Sequence, residues 1–143
     1  MKHLDASVLI AWHRADHGHH ERVATWCSDL ISRQEPFGAH DLSWTAFLRI
    51  CTSRRVFKIP SGLDDVFAFR HSVVAQHHYF DPPTGPDRWE RIESQCRAHR
   101  AMANLVNDAV LAAAAIGAGA DLVSLDHDFA RFRGLSWVDP LTS

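Results

Sequence analysis

The stretch 121-DLVSLDHDF-129 decides how the chain is read. Leu122, Val123 and Leu125 form a short apolar run preceded by a glycine-containing segment, the pattern of a buried strand. It runs directly into Asp126 and Asp128, with no basic residue between them. Placing carboxylates at the edge of a core costs free energy unless a partner compensates. A buried strand that ends in acids therefore predicts a site at its carboxyl end.

Outward from this stretch the chain alternates. "KHL" before Asp5 is a candidate first strand, and "SVLIAWHR" a helix with Ser7 as its cap. Residues 19–32 carry Val23, Trp26, Cys27, Leu30 and Ile31 on one helical face. "PFGAH" is a candidate second strand. "SWTAFLRICTSRRVF" returns to helical spacing, and "SGLDDVFAFRHSVVAQ" starts a helix at Ser61 with acids in its first turn. "FDPPTGPDR", residues 80–88, reads as a loop between two helical halves. "RWERIESQCRAH" carries Trp89, Ile92 and Cys96 on one stripe. "NDAVLAAAAIGAGA" is an alanine-rich helix opened by Asp108 and ended by glycine, and "LSWV" is a last strand. Short strands separated by helices predict an α/β fold with a parallel sheet covered on both faces.

The 143 residues fit one domain. A net charge of −2 offers no global field for nucleic acid, so any basic surface must be local. Cys27, Cys51 and Cys96 form no CxxC pair and suit a reducing, cytoplasmic setting. No apolar run has the length of a membrane span, and the N-terminus lacks the pattern of a signal peptide.

In a parallel sheet, functional groups gather at the carboxyl ends of strands. Asp5, Asp108, Asp126 and Asp128 each lie at an element boundary. Taken singly, Asp108 reads as a helix cap and Asp128 as a turn residue. If the four converge, like charges repel until some are protonated or a cation joins them. A hard divalent ion with oxygen ligands fits such a set, and can activate water for in-line attack on a phosphodiester.

The motifs "LDASVLIAW", "FLRICTSRRVFKIP", "NDAVLAAAA" and "SLDHDFARF" resemble those of PIN-domain ribonucleases, and within them the VapC-type toxins of bacterial toxin–antitoxin pairs. The resemblance covers nearly the whole chain, residues 1–143 as a single PIN-like domain. It implies a three-layer sandwich with a short parallel sheet of four or five strands. It implies a Mg²⁺- or Mn²⁺-dependent endoribonuclease cleaving structured RNA such as tRNA or rRNA, a cognate antitoxin, a homodimer, and a cytoplasmic protein. Asp5, Asp108 and Asp126 take the catalytic positions, and Asp128 joins them as a metal ligand. Ser7 and Ser124 match small polar residues beside the acids, placed to orient substrate or a bound water.

One position departs from the family pattern. The acid expected on the central helix is Ala46. The chain either works without it, has had it replaced to suppress toxicity, or is catalytically weak; the other acids favour the first account. The alternative function is a PIN-fold RNA- or protein-binding module without useful catalysis. A phosphatase-like reading fails because "DAS" at 5–7 lacks the second acid of a DxD motif.

Arg49 lies one helical turn after Ala46 and is a candidate substrate contact, together with Arg54, Arg55 and Lys58. Arg131 and Arg133 form a second basic rim. Trp12, Trp26, Trp44 and Trp89 fit apolar stripes and are expected in the core, although one of them would be able to stack an unpaired base. "HRADHGHH" offers His13, His17, His19 and His20, but Gly18 breaks the segment and zinc is not expected there.

Overall fold

A computed structural model describes residues 1–143. In chain order the elements are β1 (Lys2–Leu4), α1 (Ala6–His13), α2 (His20–Ser32), β2 (Phe37–Gly38), α3 (Asp41–Cys51), α4 (Leu63–Val74), α5 (Arg88–His99), α6 (Leu105–Ala118), β3 (Asp121–Val123), a 3₁₀ turn (His127–Arg131) and β4 (Ser136–Val138). The four strands are all parallel in the order β2-β1-β3-β4. The α/β expectation holds. Because β2 and β3 flank β1 on opposite sides, the chain reverses its winding direction between β1 and β3, the topology at whose carboxyl ends open α/β sheets place their sites.

The pleat sends neighbouring residues to opposite faces. Leu4 and Val123 stand side by side and join the larger core under α1–α4, with Val8, Leu9, Val23, Leu30 and Phe47. Leu122 faces the other way, onto Ala109, Ala112 and Ala115 of α6 and onto Phe129 and Phe132. Small alanines let α6 lie close to the sheet, and Gly119 in the left-handed conformation (φ 63°) ends the helix. His3 pairs with Leu122 across the sheet and is 2% exposed. Burial, with His40 and the amino terminus nearby, pushes its pKa down to about 4, so it is neutral at physiological pH.

A partial fifth strand covers the β2 edge. Phe37 N donates to His78 O (3.1 Å), Phe80 N donates to Phe37 O (2.8 Å), and Phe37 bridges Tyr79 in parallel. This pairing shields an edge that would otherwise be open.

Several local expectations need correction. Ser7 does not cap α1: Asp5 does, accepting from Ser7 N. Ser61 does not cap α4, whose N-cap is Gly62; its hydroxyl instead meets His13 Nε2 (3.1 Å) and Arg14 Nη1 (3.0 Å). Asp108 does not open α6, which begins at Leu105, so the carboxylate sits in the first turn. α3 ends at Cys51, and 52–58 form turns. It starts at Asp41 with His40 as N-cap, Nδ1 accepting from Leu42 N (3.0 Å). Ser43 is therefore inside the helix, 1% exposed, and its hydroxyl has no partner. Ser43→Ala should raise stability by about 1 kcal/mol, because it removes a buried unsatisfied group. Chemical denaturation with an unchanged m-value checks this.

Trp44 is buried and Trp12 and Trp26 pack against the core as expected. Trp89 is not in the core: α5 buries none of its residues, and Trp89 is 67% exposed. All three cysteines are free thiols. Burial pushes Cys27 up to about 12 and Cys51 to about 11, which leaves both unreactive. No helix is long and apolar enough to cross a membrane.

Candidate active site

The crevice between β1 and β3 is held by two serine hydroxyls. Asp5 follows β1 directly and is 9% exposed. Its Oδ2 accepts from Ser7 Oγ (2.8 Å), Ser124 Oγ (2.8 Å) and, more weakly, Ser7 N (3.4 Å). Each hydroxyl also accepts from the chain after β3: Leu125 N donates to Ser7 Oγ (3.0 Å) and Asp126 N to Ser124 Oγ (3.0 Å). Both hydroxyl protons point at Asp5, so the 3.2 Å separation of the two Oγ atoms needs no bond of its own.

This network has two consequences. It ties the end of β1 to the end of β3, 119 residues away, through side chains alone. It also loads all the bonds onto one Asp5 oxygen. Oδ1 accepts none and is free for a ligand. Asp126 shows the same division: Oδ1 accepts from Asp128 N (2.9 Å) and caps the 3₁₀ turn, while Oδ2 has no partner in the chain. Ser7 and Ser124 thus position Asp5 and the chain after β3, where the sequence suggested contacts to substrate or a bound water. Ser124→Ala should lower any activity of this site by about 10–100-fold through lost orientation of Asp5 and Asp126. It should also cost about 1–3 kcal/mol, because Asp126 N loses its acceptor. Parallel cleavage assays and thermal melts measure both effects.

Asp108 completes the cluster from the first turn of α6, where the helix dipole favours negative charge. Its pKa is raised from 3.8 to about 6, first by burial and then by the charges of Asp5, Asp126 and Asp128, with Arg131 acting in the opposite sense. The four acids named from the sequence therefore share one field. Arg131 reaches that field, whereas Arg49 is exposed on the last turn of α3 and is not among the charges acting on Asp108. Ala46 contributes no donor.

No three His, Cys, Asp or Glu side chains are placed in this structure so that they could hold a metal ion together. The site instead offers single unengaged carboxylate oxygens, Asp5 Oδ1 and Asp126 Oδ2. The donor set is all oxygen and carries excess negative charge, and both features fit a hard divalent cation. The His13–His20 segment has no such character. His17 Nδ1 accepts from His19 N (3.0 Å) and His20 Nδ1 meets Ala11 O (2.9 Å), so these rings stabilise a turn.

A family model described as PIN domain matches residues 2–135. The chain belongs to the PIN-domain family. Ribonuclease VapC31 of Mycobacterium tuberculosis (strain ATCC 25618 / H37Rv) is 42% identical over 137 residues, 96% of each chain. Ribonuclease VapC25 of the same strain is 40% identical over the same share of each. This PIN domain is thus of the VapC ribonuclease type. Its fold is also that of a VapBC2 crystal structure from Rickettsia felis bound to a promoter DNA fragment, with a TM-score of 0.69, 12% identity and 96% of both chains covered. FitAcB from Neisseria gonorrhoeae superposes with a TM-score of 0.62 at 18% identity, over 98% of both chains.

Sequence reasoning did not find the clamp behind the acid turn. His127 Nε2 meets the buried Asp139 Oδ2 (3.1 Å), and Asp139 Oδ1 accepts from Leu141 N (2.9 Å). Trp137 Nε1 donates to Ser124 O (3.1 Å) and its ring packs edge-on to His127. The tail after β3 thereby pins both ends of the segment that carries Asp126 and Asp128. The only sequence signal was an acid immediately after the apolar "LSWV".

Proposed function

We propose that this PIN domain is a Mg²⁺- or Mn²⁺-dependent endoribonuclease toxin that acts on structured RNA, a tRNA or rRNA, in the cytoplasm and is neutralised by a cognate antitoxin. The observation that carries the reading is that Asp5, Asp126 and Asp128 all act on Asp108, whose pKa is raised to about 6 first by burial and then by their charges. Asp5 Oδ1, Asp126 Oδ2 and the carboxyls of Asp108 and Asp128 are the oxygens that would hold the ion. When bound, such an ion supplies an activated water and stabilises the leaving oxygen of an in-line displacement. The chain's own share is orientation. Ser7 and Ser124 fix Asp5, the 3₁₀ turn fixes Asp126, and Arg131 provides a cation at the rim for a phosphate. An unstacked RNA loop suits this open crevice better than duplex, whose deep groove hides the bases.

Partners follow from the same reading. An antitoxin with a basic side chain would neutralise the acid cluster. For a homodimer, α4 is the better surface than α2. The apolar face of α2 is already covered through Val23, Cys27 and Leu30, whereas Leu63 (66%) and Phe67 (42%) of α4 are exposed beside Val56 and Ile59.

The second reading, a PIN-fold binding module with weak catalysis, draws on Ala46. Titration calorimetry with Mn²⁺ at pH 7.5 separates the two. The ribonuclease reading expects binding in the wild type that Asp108→Asn weakens by about tenfold or more. Absence of binding in the wild type would leave the module.

A further inference from the structure

Trp89 is the most exposed large aromatic of the chain, at 67%. It sits in the first turn of α5 and forms a wall of a cleft of about 470 Å³ between the 80–88 loop, the start of α3 and α6. The floor is apolar, made by Leu42, Ile92 and Val110. The rim is charged. Arg88 lines it with only Nη1 engaged, donating to Gly85 O (3.1 Å). Asp41 and Asp81 line it too, and no side-chain hydrogen bond or ion pair engages either. A smaller cavity of about 150 Å³ adjoins it, sharing His40, Thr84, Arg88, Ile92 and Val110.

The cleft opens at the same end of the sheet as the acid cluster. Val110 lies two residues beyond Asp108 on α6, and Leu42 one turn before Ala46 on α3. Ala39 continues β2, which pairs with β1 beside Asp5. The cleft and the acid cluster thus share α6 and the carboxyl end of the sheet.

We infer that the cleft is a subsite for one unpaired nucleobase of the RNA strand, stacked on Trp89 with the adjoining phosphate on Arg88. The proposal rests on the ribonuclease reading for the identity of the strand. Its chemistry comes from the cleft itself. An exposed indole and an apolar floor suit the flat face of a base, and stacking of this kind serves single strands. Arg88 offers a planar cation to phosphate. Asp41 and Asp81 repel a second phosphate, so the base and not the backbone occupies the interior. They also accept hydrogen bonds from an exocyclic amino group, as carboxylates do from cytosine N4. Adenine, cytosine and guanine carry such a group. Uracil presents a carbonyl oxygen at that exocyclic position, acceptor against acceptor, and has only its N3–H to donate.

The test is anisotropy of 5′-labelled oligo(A), oligo(C) and oligo(U) single strands with the full chain in EDTA, where cleavage does not interfere. The wild type should bind oligo(A) and oligo(C) more tightly than oligo(U) by about fivefold or more. Trp89→Ala should weaken oligo(A) binding by about tenfold while the thermal midpoint stays constant, and Trp89→Phe should restore most of it. The double variant Asp41→Asn, Asp81→Asn should erase the preference against oligo(U). Equal affinities for wild type and Trp89→Ala overturn the subsite. So does a Trp89→Ala variant that keeps RNA affinity but loses antitoxin, which would make the cleft a protein-docking surface. The two readings fail separately. A wild type that cleaves RNA at a rate unaffected by Trp89→Ala sinks the subsite alone. One that stacks RNA on Trp89 but never cleaves with Mg²⁺ or Mn²⁺ sinks the ribonuclease alone.

Discussion

Asp108→Asn is expected to lower RNA cleavage on the order of a hundredfold or more, and at the same time to make the metal-free protein more stable at neutral pH. The two effects have one origin. Asp108 is held among three other carboxylates, and its folded pKa, about 6, lies above its ordinary 3.8. Between those values the folded chain binds a proton that the unfolded chain has released. Stability therefore falls as pH rises from 3.8 through about 6, and the full deficit is present above 6. Asparagine has no charge to confine. Because Asp108 is only half-buried, solvent screening reduces the gain to about 1 kcal/mol at pH 7.5. At pH 3.5 wild type and variant should melt alike. Thermal melts in EDTA at the two pH values, beside cleavage assays with Mn²⁺, measure both halves. Retained cleavage in Asp108→Asn would remove this carboxylate from the mechanism. A loss of stability at pH 7.5 would show that the charge is already compensated inside the fold. Saturating Mn²⁺ should raise the wild-type midpoint more at pH 7.5 than at pH 5, since the ion competes with the proton for the same oxygens.

Gly38→Ala should be the most damaging of the glycine-to-alanine changes. A Cβ at Gly38 would stand 1.9 Å from Phe80 O and 3.1 Å from Phe80 C, both backbone atoms. Neither can swing aside as a side chain would. The Phe80 amide is bonded to Phe37 O, and Phe37 N to His78 O, so the partial strand is pinned where the methyl must go. Relief requires the edge strand to separate from β2, losing those bonds and opening the cleft that the 80–88 loop walls. Overpacking of this kind costs about 3 kcal/mol. For a chain this long that lowers the thermal midpoint by about 10 °C. A midpoint within about 2 °C of wild type would mean that segment 78–80 is held far less tightly than its hydrogen bonds require.

Legibility from sequence followed the range of the forces involved. The periods of α2 and α5 fixed their extents to within a residue, because helix formation is a local property of the chain. Asp5, Asp108, Asp126 and Asp128 were recognisable because each interrupts or bounds an apolar element. Caps were read less well. Ser7 and Ser61 look like N-caps by type, yet their hydroxyls bond to Asp5 and Leu125, and to His13 and Arg14. A serine in a free helix has only its own backbone to satisfy; in the folded chain a distant partner competes. Trp89 misled for a related reason. Its spacing with Ile92 and Cys96 makes an apolar stripe, but periodicity states which residues share a face and not whether another element covers it.

By itself the sequence determined the alternation of strand and helix, the placing of acids at element ends and the absence of the acid at 46. The first two follow from local propensity and from the cost of charge beside apolar residues, and the third from the resemblance to the PIN-domain pattern. Only the tertiary structure decided that residues 5, 7 and 124 share one hydrogen-bonded network, that Asp108 stands within the field of three other carboxylates, and that Trp89 is left facing a cleft. Those are through-space relations. Side-chain bonds and Coulomb interactions depend on distance between groups, and that distance is set by how the sheet orders its strands, which no window of sequence contains.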